Sequence, residues 1–276
     1  MSKKRVGEVI FYIFMTLISI VWLVPIFFIL ITALKSNQDF YSRPIFSLPQ
    51  TLQWGNFVKA WINGNLGVYM KNSFIISIIK VPLGILIEAL AAFYITRLSN
   101  KNSGTRIFIF FLIGMMIPMQ VTLIPLNIAL SRLNLINTYL GIFIVYLGFG
   151  IPFGILVLRG FMRTIPKELD EAALIDGCST ARLFWNIILP LSKPALGTLM
   201  IMDFLSTWNE YLLASVFLTD DTMRTVPAGL ASFIGQYSTN YGLLTAGALI
   251  SIVPVLIVYI CFQNTFVEGL AGAIKG

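Results

Sequence analysis

The stretch Val9–Leu34, VIFYIFMTLISIVWLVPIFFILITAL, runs for 26 residues without one charged side chain. A helix rises about 1.5 Å per residue, so some 20 apolar residues cross a hydrocarbon core of roughly 30 Å. Lipid offers the backbone no hydrogen-bond partners, and a helix is the form that satisfies every N–H and C=O within the segment. Lys3, Lys4 and Arg5 precede it, as in a secretory leader. Its apolar run is too long for a leader, however, and no small-residue cleavage site follows, so a retained helix is expected.

Working outward, five further runs qualify: Ser73–Ile95, Ile107–Leu130, Thr138–Leu158, Ala195–Leu218 and Leu243–Phe262. The expected fold is an all-α integral membrane protein with six transmembrane helices. Composition agrees, with 57% hydrophobic and 11% charged residues against about 45–50% and 25% in soluble domains. A mean hydropathy of +0.86 also excludes disorder, because so much apolar surface does not stay solvated.

The net charge of +7 is spread too thinly to build a nucleic-acid face; it reads as a topology signal. Twelve Lys and Arg fall on the side of the N-terminus, the second and fourth loops and the tail, against six on the other side, with Lys80 inside a span. The positive-inside rule then places both termini in the cytoplasm. Histidine is absent, which removes His-dependent catalysis, metal sites and proton relays. Cys178 and Cys261 stand alone, with no spacing that suggests a metal or redox site.

Two outer segments show a pattern of their own. Trp54, Phe57, Val58 and Trp61 follow a helical period in the first loop. The last outer loop, Thr219–Tyr241, is punctuated by Pro227, Gly229 and Gly235 and contains Gln236, Ser238, Thr239 and Asn240.

The fourth loop, 160–193, is more ordered than a connector needs to be. Pro166 suits a first helical turn, with Thr164 as a candidate cap and Glu168, Asp170 and Glu171 at the positive end of the dipole. Leu169, Ala172 and Ala173 predict an apolar stripe, and Gly177 stands where a left-handed residue would end the helix after Asp176. Ser179 or Thr180 can cap a second helix with an apolar face of Leu183, Phe184, Ile187 and Ile188, before Pro190 and Pro194. Within the membrane, Asp203, Ser206, Thr207 and Glu210 share one face of the fifth span, and intramembrane carboxylates normally face a cavity or a partner helix. Lys80 lies close enough to the outer end of its span to snorkel, whereas Glu88 does not. In the third span Met115, Met116, Pro118, Met119, Gln120, Thr122 and Pro125 predict a buried, hinge-like break.

The spacing Glu171-Ala172-Ala173, Gly177, Ile187, Leu189, Pro190 resembles the EAA signature of bacterial ABC importer permeases. Trp208-Asn209-Glu210-Tyr211-Leu212-Leu213 is similar to a segment of carbohydrate-uptake permeases. The end, Phe266-Val267-Glu268-Gly269-Leu270 to Gly276, is similar to that of maltose-type G permeases.

The resemblance implies a type I importer fold: residues 1–72 as an N-terminal segment with the first helix and outer loop, 73–265 as the transmembrane core, and 266–276 as a cytoplasmic tail. It also implies a second homologous permease subunit, two ATPase subunits, an extracytoplasmic sugar-binding protein and residence in the bacterial cell membrane. The chain has no G-x-x-x-x-G-K-[ST] phosphate loop, so no cofactor is expected on it, and ATP and Mg belong to the partner ATPase. Glu171, Ala172, Ala173, Gly177, Ile187, Leu189 and Pro190 would dock that ATPase. Asp203, Ser206, Thr207 and Glu210 would line the translocation path or the permease interface. The expected function is ATP-driven import of a sugar, an oligosaccharide in particular. A cation-coupled secondary transporter and an importer of glycerol phosphate are the rival readings.

Overall fold

The computed structural model describes residues 3–235 and 239–274, with side chains over 7–235 and 239–263. The described residues are helical: α1 (Lys3–Ala33), α2 (Asn37–Ser42), α3 (Gly55–Ile62), α4 (Leu66–Phe93), α5 (Lys101–Met115), α6 (Met119–Arg132), α7 (Tyr139–Met162), α8 (Glu168–Ile175), α9 (Thr180–Arg182), α10 (Leu189–Leu191), α11 (Lys193–Trp208), α12 (Leu212–Phe217), α13 (Val226–Ala231) and α14 (Tyr241–Ile274). Two π-helical turns, Tyr94–Leu98 and Leu183–Ile188, extend α4 and α9. The backbone of the tail continues α14 to Ile274, but the tail's side chains, like those of Lys3, Lys4 and Arg5, lie outside the described residues, as do Gln236 and Ser238.

Four helices are long and apolar enough to cross a membrane, and two bent pairs raise the number to six if each pair is one span. The third span is one such pair. Helices α5 and α6 meet at 93°, because Pro118 has no N–H to continue the ladder and stands in extended conformation just before α6. The fifth span corrects the expectation of one helix over Ala195–Leu218: α11 ends at Trp208 and the chain restarts at Leu212. The reason lies in Glu210, whose carboxylate takes the N–H groups of Leu213 at 2.7 Å and Ala214 at 3.0 Å. A side chain thus supplies acceptors that a continuous helix would have drawn from backbone carbonyls.

The chain divides into two compact units. Met1–Gly67 with Gly229–Val253 includes α1, which is exposed over residues 7–27 and buried at Ile31, Thr32 and Ala33. Beyond it, the first outer loop is tied by buried polar groups: Lys35 donates to Ile45 O and Ser47 Oγ, Asp39 accepts from Gln50 N, and Asn56 donates to the carbonyls of Ala33 and Lys35. The expected amphipathic helix forms as α3, with Trp54, Val58 and Trp61 exposed.

The second unit, Val68–Ala228 with Pro254–Gly276, holds an apolar core built from Ile76, Leu130, Ile142, Val145, Leu213 and Phe217. Buried Asn72 donates to the carbonyls of Thr222 and Arg224 and accepts from the Tyr139 hydroxyl. These bonds fix the outer end of α4 within the same unit.

Candidate functional site: a charged cavity and a loop elbow

Two groups of residues carry the chemistry, and both lie in the second unit. The first is a cavity of about 390 Å³ lined by Lys80 and Glu88 of α4, residues of α7, and Asp203, Ser206, Thr207 and Glu210. Lys80, Gly84 and Glu88 recur every four residues and so share one face of α4. Lys80 does not snorkel: it is 2% exposed and forms an ion pair with Asp203. An isolated ammonium at that depth is costly, and a carboxylate within reach makes burial tolerable.

Opposite, Gly150 and Gly154 stand one turn apart on α7. A Cβ at Gly154 would collide with the Glu88 carboxylate, and one at Gly150 would come within 2.8 Å of Lys80 Nζ. These glycines make the space in which the charges sit.

Of the four polar residues expected on the fifth span, Asp203 and Thr207 are buried, Glu210 is partly buried, and Ser206 is exposed while still lining the cavity. Glu210 also receives the Tyr146 hydroxyl at 2.6 Å. Sequence reasoning set Lys80 aside; its signal was the four-residue repeat of Lys80, Gly84 and Glu88.

The second group is the elbow of the fourth loop. Gly177 has φ +75°, and the hydrogen bonds Cys178 N to Ala173 O at 2.9 Å and Gly177 N to Leu174 O at 3.1 Å complete a Schellman motif. Ser179 caps the next helix through Arg182 N. Thr164 is not a cap, because its hydroxyl donates back to Phe161 O. Of the expected stripe, Ala173 is buried, while Leu169 and Ala172 are exposed, so that part of the apolar face has no cover among the described residues. Ile187 and Leu189 are partly buried, and Glu171 and Pro190 are exposed.

What anchors α8 is Arg97, which sequence reasoning counted only as a topology charge. Its buried guanidinium donates to Met162 O at 3.2 Å and Ile165 O at 2.9 Å, at the C-terminal end of α7. Its Nε lies 3.1 Å from Asp170 Oδ2, an ion pair without the angle of a hydrogen bond. A cation there meets both the negative end of one helix and an acid in the first turn of the next. Burial raises the Asp170 carboxyl above its usual value, with Arg97 and then Lys167 pulling the other way. Phe93 and Phe184, beside the two π turns, pack ring to ring at 5.2 Å.

A bent, broken-helix bundle with buried intramembrane charges and an anchored elbow in its fourth loop is the architecture expected of a transport subunit. The chain belongs to the family described as binding-protein-dependent transport system inner membrane component, whose model matches residues 80–265. It is 36% identical over 279 residues to the probable ABC transporter permease protein YurM of Bacillus subtilis, covering 99% of this chain and 91% of that protein. The probable starch degradation products transport system permease protein AmyC of Thermoanaerobacterium thermosulfurigenes is 34% identical, with 100% of both chains covered.

A crystal structure of a bacterial ABC transporter involved in the import of the acidic polysaccharide alginate contains a chain with the same fold. The TM-score is 0.79 at 21% identity, covering 96% of this chain and 98% of that one. The chain is thus a transporter permease subunit and not an enzyme. Membership also answers the secondary-transporter reading, since this is a family of binding-protein-dependent systems.

Proposed function

We propose that the chain is one permease half of an ATP-driven importer that carries an oligosaccharide across the bacterial inner membrane, with both termini cytoplasmic. Its partners would be a second homologous permease, two ATPase subunits that alone hold ATP and Mg, and an extracytoplasmic sugar-binding protein. Relatives support the substrate class: AmyC is named for starch degradation products, and others for diacetylchitobiose, melibiose, raffinose and stachyose, and trehalose and maltose.

The observation that carries the coupling role is the elbow. Helix α8 is tied from inside by Arg97, yet Leu169, Leu174 and Ile175 are exposed, Ile175 by 86%. A chain without a motor needs such a fixed knob, because a motor can bias the spans only through contacts that differ between its states. Glu171 would add a charge-assisted contact to a basic side chain of the ATPase.

The test is Ile175→Asp in the assembled complex, reading ATPase co-purification and sugar-stimulated hydrolysis in proteoliposomes. Weakened association or lost stimulation is the expected result. Normal association with normal stimulation would remove α8 as the dock.

A further inference from the structure

The charged cavity also bears on which sugars can pass. Among the described residues it is lined by one cation, Lys80, and that ammonium is already paired with Asp203. Three carboxyl groups line the same space: Glu88, Asp203 and Glu210. Glu210 is satisfied by Tyr146 and two backbone N–H groups. Glu88 and Asp203 are not: they are 2% and 9% exposed, and Glu88 Oε2 and Asp203 Oδ2 have no hydrogen-bond partner. Two residues that line the cavity therefore each keep a buried carboxyl oxygen without a donor.

We propose that this cavity is a subsite for a neutral polyol and selects against anionic sugars such as uronates and sugar phosphates. The proposal rests on the sugar-import reading and deepens it. A sugar hydroxyl can donate to the carboxyl groups of the lining, and Phe149 and Phe153 offer apolar surface to the faces of the ring. The volume falls within the range of about 300–1,000 Å³ usual for small-molecule sites. An anion would meet the same carboxyl groups with no free cation to pair with. Lys80 is not free to turn to it, because the ammonium is held in the ion pair with Asp203, in the space that Gly150 leaves open. Drawing Lys80 away would leave Asp203 buried and unpaired. The rival importer of glycerol phosphate is disfavoured on the same ground.

The test uses the complete complex with Cys178→Ser and Cys261→Ser in this chain and Ser206→Cys as a reporter in the cavity. Met202→Cys, also on its lining, serves if the first variant does not assemble. Cationic and anionic methanethiosulfonates are compared by mass spectrometry of this chain. The cationic-to-anionic rate ratio should exceed that of a free thiol by about tenfold, the lower end of what a charged cleft produces. Maltotriose, raffinose, chitobiose and trehalose are then screened for uptake. Whichever is imported should slow labelling, and trigalacturonate should not.

A ratio equal to or below the free-thiol value, or protection by trigalacturonate, overturns the proposal. The ratio needs no sugar. A complex that shows it but imports none of the panel therefore upholds the cavity's charge and refutes the sugar-import reading instead.

Discussion

Replacing Gly177 separates backbone strain from every other effect. A Cβ built there meets no atom within 4 Å, so a side chain collides with nothing and the cost is conformational. Holding an L-residue at φ +75° costs roughly 1–2 kcal/mol. The chain can escape by leaving that region, but it then gives up the bonds from Cys178 to Ala173 and from Gly177 to Leu174, about 0.5–1.5 kcal/mol each. The strained route costs about 1–2 kcal/mol and the escape about 1–3 kcal/mol, so the cheaper one sets the cost at about 1–2 kcal/mol, a five- to thirtyfold fall in the population of the intact elbow. Gly177→Val should sit at the upper end, because β-branching adds crowding, and Gly177→Asn near wild type, because Asn tolerates this conformation. Since the strain lies in a turn outside the spans, all variants should insert normally. The assay is sugar-stimulated ATP hydrolysis by the assembled complex in proteoliposomes, with membrane content measured in parallel. Coupling should rank Gly, then Asn, then Val. Equal coupling for Asn and Val would refute the argument, since the two differ in their tolerance of positive φ.

Other perturbations address the remaining contacts. Lys80→Met or Asp203→Leu alone should destabilise the detergent-solubilised protein by about 3–5 kcal/mol by leaving a buried charge unpaired, and the double variant should recover most of it; thermal melts of the four proteins measure this. Glu210→Leu removes the acceptor of Tyr146, Leu213 and Ala214 and should cost about 2–4 kcal/mol, with Glu210→Gln intermediate because one oxygen remains. At Asp170 the raised carboxyl keeps a proton in the folded elbow at a pH where the unfolded chain has lost it. The group's contribution to stability should therefore fall as pH rises from its usual value through the raised one, and Asp170→Asn should abolish that slope. Asp220, held below its usual value chiefly by the backbone N–H and then the hydroxyl of Thr222, should slope the other way, losing stability as pH falls through the same acid range.

Apolar length and turn chemistry were legible in the sequence because each is local. The first span, the positive φ at Gly177, the Ser179 cap and the end of α8 at Ile175 follow from runs, caps and glycine rules that act within a few residues. The break at Pro118 was legible for the same reason, but its expected burial was not met, since Met115, Met116, Pro118 and Pro125 are exposed. The break at Glu210 was not. Trp208-Asn209-Glu210-Tyr211 reads as helix by hydropathy, and only the carboxylate's capture of two N–H groups ends it. Lys80 and Arg97 were misjudged in a common way. A charge near a span end usually belongs to topology, but these two find their carboxylates 123 and 73 residues away, a pairing that no window along one helix displays.

Those two misjudged cations change what α4 does. Lys80 binds it to α11 at the cavity, and Arg97, in the π turn that follows it, binds it to α8 at the elbow. Seventeen residues of helix separate them, about 25 Å at 1.5 Å per residue. Both contacts are buried ion pairs, which resist partial rupture because a half-broken pair leaves uncompensated charge in a poor solvent. A shift of α8 must then either break the Arg97–Asp170 pair or carry the end of α4 with it. The π turn at Tyr94–Leu98 is the least regular part of that path, and such turns are common at functional sites. Packing of Phe93 on Phe184 places the second π turn, the one following α9, against the first. The two places where the helices depart from α geometry near the elbow thus adjoin each other. Pinned by opposite charge at its middle and just past its C-terminal end, α4 joins the proposed docking surface to the cavity.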